Sequence, residues 1–174
     1  GVFRRQRQMC IRDSNKSLFI TYTNSDGRGM QNNLEKGQSG LVPKKDKNST
    51  FLEGMELFDD FPDWFKQEDL DYFVSQFEIS GLRGPFNRYR AQNIDWNELA
   101  ELDKKLKQPA CFITGTLDPV NFFIATDEPL IDRIEANYEN LLFAEELEGV
   151  GHWTQQEAPE EVNRLILKFL KQVS

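Results

Sequence analysis

The sequence predicts an α/β architecture in which a parallel βαβα section follows a helical layer. Three observations lead there. Ala110-Cys111-Phe112-Ile113-Thr114-Gly115 is a short apolar run closed by glycine, the pattern of a buried parallel strand. Asn140 to Leu147 reads as a second strand, with a helical stretch between the two. From Pro159 onward, Val162, Leu165, Ile166, Phe169, Leu170 and Val173 form one apolar stripe at helical spacing. Strand, helix, strand, helix in that order calls for parallel strands joined by a right-handed crossover.

The remaining elements follow along the chain. Residues 1–14 show neither helical nor strand periodicity and differ in charge sign from the rest, so they are read as a non-native or disordered tract. Ser17 to Ile20 is apolar and Asn24 to Gly29 is rich in turn residues. Met30 to Thr50, dominated by Asn, Gln, Gly, Lys and Ser, reads as one long loop. Gln67 to Ser80 places Leu70, Phe73, Val74 and Phe77 at i, i+3, i+4 and i+7, an amphipathic helix that Gly81 terminates. Gly84-Pro85 restarts the chain, with Pro85 suited to the first turn of a helix carrying Asn87, Tyr89 and Arg90. Thr126-Asp127-Glu128-Pro129 opens the crossover helix, and Pro159-Glu160-Glu161 the last one, with its acids at the positive dipole end. Residues 63–108 are helical with no strand. Two strands make a meagre parallel sheet, so an apolar edge is expected where further strands would pair.

Composition narrows the chemistry. The 174 residues are 39% hydrophobic and 29% charged, a soluble globular balance for one domain of ordinary size. No apolar run approaches the ~18–20 residues of a membrane span. The net charge is −8, and residues 1–12 hold four Arg and no acid, leaving 17 basic and 29 acidic residues, or −12, in the remainder. A body so acidic speaks against nucleic acid and anionic membranes. Cys10 and Cys111 are too few for a disulfide framework and fit reduced thiols in a cytoplasmic setting, with Cys111 in the core. With a single histidine and no Cys/His cluster, no zinc site is expected, and no cofactor.

Asp118 follows the first strand directly and His152 the second. In open α/β sheets, sites form outside the carboxyl ends of the strands. Neighbouring strands would bring these loops together, letting the carboxylate fix one tautomer of the imidazole and stabilise its protonated form. Each residue alone has a plainer reading: Asp118 as a turn residue before Pro119, His152 as a hydrogen-bonded loop histidine. Their joint placement after consecutive strands favours the acid–base pair. No nucleophile accompanies them. Gly37-Gln38-Ser39-Gly40 fails the G-x-S-x-G pattern, because position 41 is Leu, and reads as loop.

The stretch from Asp69 to Arg90 resembles the cap helix pair of α/β-hydrolase-fold epoxide hydrolases. Their F-x-x-S-G-x-R-G-P-x-N-x-Y-R pattern is met by Phe77, Ser80, Gly81, Arg83, Gly84, Pro85, Asn87, Tyr89 and Arg90. Pro109 to Asp118 resembles the strand leading to that family's acid, and Glu148 to Val162 the loop with its histidine and the helix that follows. The likeness covers residues 57–173 and, weakly, 15–56. It implies a partial α/β-hydrolase fold: cap region 15–108 with the long loop at 30–50, then core section 109–174. It also implies a two-step hydrolysis of a small apolar epoxide to a vicinal diol through an Asp ester. By the same resemblance His152 is the general base, Asp118 its orienting acid and Tyr89 the donor to the epoxide oxygen.

The family's nucleophilic Asp, oxyanion loop and first cap tyrosine lie N-terminal to the matching region and have no counterpart in this sequence; the context of Tyr22 does not match. The expectation is therefore a C-terminal fragment that does not hydrolyse epoxides alone. A haloalkane dehalogenase or esterase on the same fold, and a non-catalytic binding domain, are the alternatives. A homo-oligomer is compatible with the sequence.

Overall fold

The structure, a computed structural model, describes residues 15–37, 48–50, 52–102, 105–122 and 127–174. The basic tract 1–14, with Cys10, lies outside them, as do residues 38–40 of the glycine-serine tract; Gly37 is in a turn.

Helix α1 covers residues 15–25 and α2 covers Gly27–Glu35. Helix on either side of a bend at Asp26 replaces the turn-rich stretch expected from Asn24 to Gly29, and helix also takes the start of the long loop expected from Met30 to Thr50, whose residues 38–47 lie outside the described residues. Residues that favour turns are helical here because their side chains return to carbonyls one turn back. Thr21 donates to Ser17 O at 2.8 Å, Thr23 to Phe19 O at 2.8 Å, Asn24 to Ile20 O at 2.8 Å and Ser25 to Thr21 O at 2.7 Å. Asp26 breaks the run and caps α2, accepting the Gly29 N–H at 2.6 Å. Asn24 also holds the 52–58 segment, donating to Glu56 O and accepting from Glu56 N.

The helical layer continues with α3 (Gln67–Ser80), α4 (Arg83–Arg90) and α5 (Gln92–Glu98). Helix α3 matches its predicted span: Asp69 accepts the Lys66 N–H at its start, and Gly81 caps its end at φ 68°. Its inner face buries Leu70 and Val74 against Phe65, with Leu18, Phe19 and Tyr22 of α1 packed on the same cluster. Aromatic rings dominate here: Tyr22 stacks on Phe65 and Phe73 at centroid distances of 5.1 and 5.3 Å.

Strands β1 (Ala110–Gly115) and β2 (Leu141–Leu147) pair in parallel, Cys111 opposite Phe143 through Gly115 opposite Leu147. Helix α6 (Leu130–Glu135) lies between them in sequence. The one-turn α7 (Thr154–Glu157), unforeseen in the sequence, and α8 (Pro159–Val173) complete the chain. Val162 and Leu165 of α8 bury against Leu147, with Ile113 and Phe143 beside them. The predicted stripe is only partly used, since Ile166, Leu170 and Val173 are exposed. The strand expected to be buried is half-buried through Ile113, and Cys111, expected in the core, is a half-buried free thiol. The physical reason is the size of the sheet: among the described residues two strands and one packed helix cover little of β1.

Candidate active site

Because β1 and β2 are parallel and adjacent, their carboxyl ends open at the same end of the sheet. The loops leaving them are stitched together at once. Thr116 N–H donates to Leu147 O and Leu117 N–H to Val150 O, both at 2.9 Å, and Gly149 N–H donates to the Thr116 hydroxyl at 2.9 Å.

Asp118 sits at the turn out of β1. Its N–H donates to Gly115 O, and its Oδ1 accepts the Val120 N–H at 2.9 Å. The turn role read from local sequence is therefore real, and it orients the carboxylate rather than competing with a functional one. His152 Nδ1 stands 3.0 Å from Oδ1 and 3.1 Å from Oδ2 of Asp118. A carboxylate only accepts, so Nδ1 carries the proton and Nε2 of the neutral ring is left as the free base. The Asp118 side chain is 13% exposed and that of His152 40%. The hydrogen bond to Asp118 raises the imidazole pKa above its ordinary value; partial burial opposes this, and the charges of Asp118 and Glu157 add to the rise. The arrangement suits a base that takes a proton near neutral pH and is stabilised once it has it.

The backbone of His152 is held from the helical layer. Its N–H donates to Ser25 O at 2.8 Å. The next residue, Trp153, donates its indole N–H to Tyr22 O at 3.0 Å and stacks on the Tyr22 ring at 4.3 Å. Glu157 accepts the N–H groups of Gly27, Gly151 and Trp153 at 2.8, 2.9 and 2.9 Å. Gly151 has no room for a side chain, since a Cβ there would meet Asp26 C at 2.3 Å and Gly27 N at 2.4 Å.

Asp26 is 1% exposed, and among the described residues its buried Oδ2 has no hydrogen-bond partner. Burial pushes its pKa up to about 6; the Gly29 N–H and Arg28 pull it down, Glu157 pushes it up, and the Trp64 indole lowers it slightly. Asp26 lines a cavity of about 440 Å³ with Trp64, Val150 and Glu157, and neither Asp118 nor His152 is part of its wall.

The structure thus brings Asp118 and His152 together. Tyr89 stands on α4, 67% exposed, and among the described residues its hydroxyl makes no hydrogen bond to the pair. Sequence reasoning missed Ser25, Asp26 and Glu157. The one local signal was Asp26 before a glycine, an N-cap pattern hidden by the surrounding turn formers. Among the described residues no group of three or more His, Cys, Asp or Glu is arranged to hold a metal ion.

No family model matches the chain. Curated relatives do. Epoxide hydrolase B of Mycobacterium tuberculosis is 40% identical over 125 residues, covering 68% of this chain and 34% of the relative. Epoxide hydrolase A of the same organism is 39% identical over 110 residues, covering 63% and 33%. Among solved structures, an epoxide hydrolase from an endophytic Streptomyces superposes with a TM-score of 0.76 at 31% identity, covering 96% of this chain and 48% of that one. Potato (Solanum tuberosum) epoxide hydrolase I gives a TM-score of 0.60 at 31% identity, over 69% and 40%. The chain spans about a third of the length of the curated relatives it matches. Over the stretch it shares with them, sequence and fold agree, and the chain belongs to the α/β-hydrolase-fold epoxide hydrolases.

Proposed function

We propose that this chain carries the acid–base half of an epoxide-hydrolase site, with His152 as general base, Asp118 as its orienting acid and Tyr89 as donor to the epoxide oxygen. The observation that carries the proposal is the contact of His152 Nδ1 with both carboxylate oxygens of Asp118 at the ends of two parallel strands. In the first step a nucleophilic carboxylate forms a bond to an epoxide carbon as the ring C–O bond breaks. The tyrosine hydroxyl protonates the departing oxygen, leaving a hydroxyalkyl ester. In the second, His152 Nε2 takes a proton from water as its oxygen attacks the ester carbonyl. The ester C–O bond then breaks, the imidazolium returns its proton to the leaving alkoxide, and the diol departs. The proton freed from the regenerated acid restores the tyrosine. No residue of this chain is assigned as the nucleophile, which is expected from sequence that the longer relatives have beyond the shared stretch.

The substrate class is a small apolar epoxide. That the relatives found are epoxide hydrolases favours this reading over a dehalogenase, an esterase or a binding domain. A cytoplasmic setting is part of the same proposal, supported by the low cysteine content and the free thiol of Cys111.

The test is a chimera in which residues 57–174 replace the matching stretch of the M. tuberculosis epoxide hydrolase B, assayed with styrene oxide. The chimera forms the diol. His152→Gln lowers turnover by about 100-fold or more and leaves a covalent ester adduct visible in the intact mass. A folded chimera that turns over equally well with His152→Gln, or accumulates no adduct, would contradict the assignment.

A further inference from the structure

We propose that Glu157 is a positioning residue for His152: one carboxylate gathers the backbone N–H groups on both sides of the histidine, together with the first N–H of α2. The inference rests on the acid–base reading of His152 and extends it to what holds that histidine in place.

Glu157 ends the single turn of α7 and reaches back across it. Its Oε1 accepts from Trp153 N–H, and its Oε2 from Gly151 N–H and Gly27 N–H. The residues just before and just after His152 are thus tied to one side chain, while the N–H of His152 itself goes to Ser25 O. The imidazole leaves a backbone fixed at three consecutive amides, two of them by the same carboxylate. Asp118 is anchored separately, through Val120 and Gly115. Beside the bonds that stitch the two loops together, the distance between acid and base is set by anchors on each side, and Glu157 is one of those on the histidine side. The third donor, Gly27, lies in another layer, so the clasp also registers the His loop against α2. The tight approach of Gly151 to Asp26 and Gly27 is the steric counterpart of that register.

Only an ionised carboxylate meets this demand. It offers acceptor positions on both oxygens, whereas a glutamine presents one oxygen and one NH2. With an amide at 157, either the Trp153 N–H or the Gly27 and Gly151 pair faces a donor. Asp26 and His152 are the ionisable groups that feel the Glu157 charge, with Arg28 acting on Asp26 and Asp118 on His152.

His152 is the only histidine, so its ring nitrogens report without ambiguity in 15N NMR of the whole chain. In folded Glu157→Gln, the Nδ1–H tautomer loses dominance and the His152 midpoint falls. The amides of Gly27, Gly151 and Trp153 exchange about tenfold faster or more. Glu160→Gln, the same charge change at an exposed site on α8, leaves the tautomer and the three amides unmoved. A Glu157→Gln protein with tautomer and midpoint unchanged, whatever its stability, overturns the proposal, as does an equal response to Glu160→Gln. Should Glu157→Gln not fold, the unaltered chain still decides. In it the Gly27, Gly151 and Trp153 amides are all protected from exchange, and free exchange at these amides overturns the clasp. These readouts need no turnover. A failed styrene oxide assay with an intact clasp rejects the function alone, and a working chimera without these NMR effects rejects the clasp alone.

Discussion

Asp118 and His152 illustrate what single residues reveal. Their positions after consecutive strand-like runs were enough to pair them, because parallel neighbours place their carboxyl ends together. The residues supporting the pair were illegible for the opposite reason. Ser25 acts through its backbone carbonyl on a residue far along the chain, and Glu157 accepts main-chain N–H groups both near (Gly151, Trp153) and far (Gly27), so neither depends on a residue-type pattern that sequence displays. Asp26 belongs to the same hidden set. Its carboxyl, raised to about 6, protonates more readily in the folded chain than in the unfolded one, where an Asp titrates near ~3.9. The folded state therefore holds the extra proton between those values, and stability falls as pH rises through them. Asp26→Asn keeps an N-cap acceptor for Gly29 and removes the buried charge. It is expected to stabilise the protein by about 1–3 kcal/mol near pH 8, with the gain fading as pH falls through 6 and gone below about 4. Urea midpoints of both proteins across that range check it; an Asn variant that is less stable at the alkaline end would contradict it.

At the scale of elements, clean periodicity was legible and back-bonded helix was not. Helices α3 and α8 matched their predicted spans because their apolar spacing is regular and glycine or proline marks an end. Helix α1 was missed because Thr21, Thr23, Asn24 and Ser25 signal turns when read singly, and only their side-chain bonds to preceding carbonyls reveal a helix. Periodicity also overstated burial. Leu165 and Leu170 share the α8 stripe, yet one is 1% exposed and the other 51%. Leu165→Ala is expected to cost about 2–5 kcal/mol, through lost burial and the cavity left against Leu147 and Val162, and Leu170→Ala under about 1 kcal/mol. Equal costs in urea unfolding would mean that the outer half of the helix is covered in solution.

On the scale of the whole molecule, the expected shortage of strands is what the fold displays. Among the described residues the sheet has two strands, and Ile166, Leu167 and Leu170 remain exposed on the helix beside it. More apolar surface is open on the helical layer, where Ile79 is 84% and Trp96 80% exposed. The relatives are two to three times as long as the stretch they share with this chain. Their further sequence is where strands to extend this sheet, and a nucleophile to complete the chemistry, are expected. No helix of the described residues is long and apolar enough to cross a membrane. Both partners of the proposed acid–base pair and their backbone anchors lie within this chain.

The most direct test of that pair is a 15N NMR titration of His152 in the unaltered chain and in Asp118→Asn. With Asp118 present, the imidazole titrates above the ordinary histidine value with its proton on Nδ1, because the carboxylate hydrogen bond favours the charged ring. Asp118→Asn lowers the midpoint and lets the tautomers mix. A midpoint at or below the ordinary value in the unaltered chain, or one that Asp118→Asn leaves in place, would mean that the two side chains do not act as an acid–base pair.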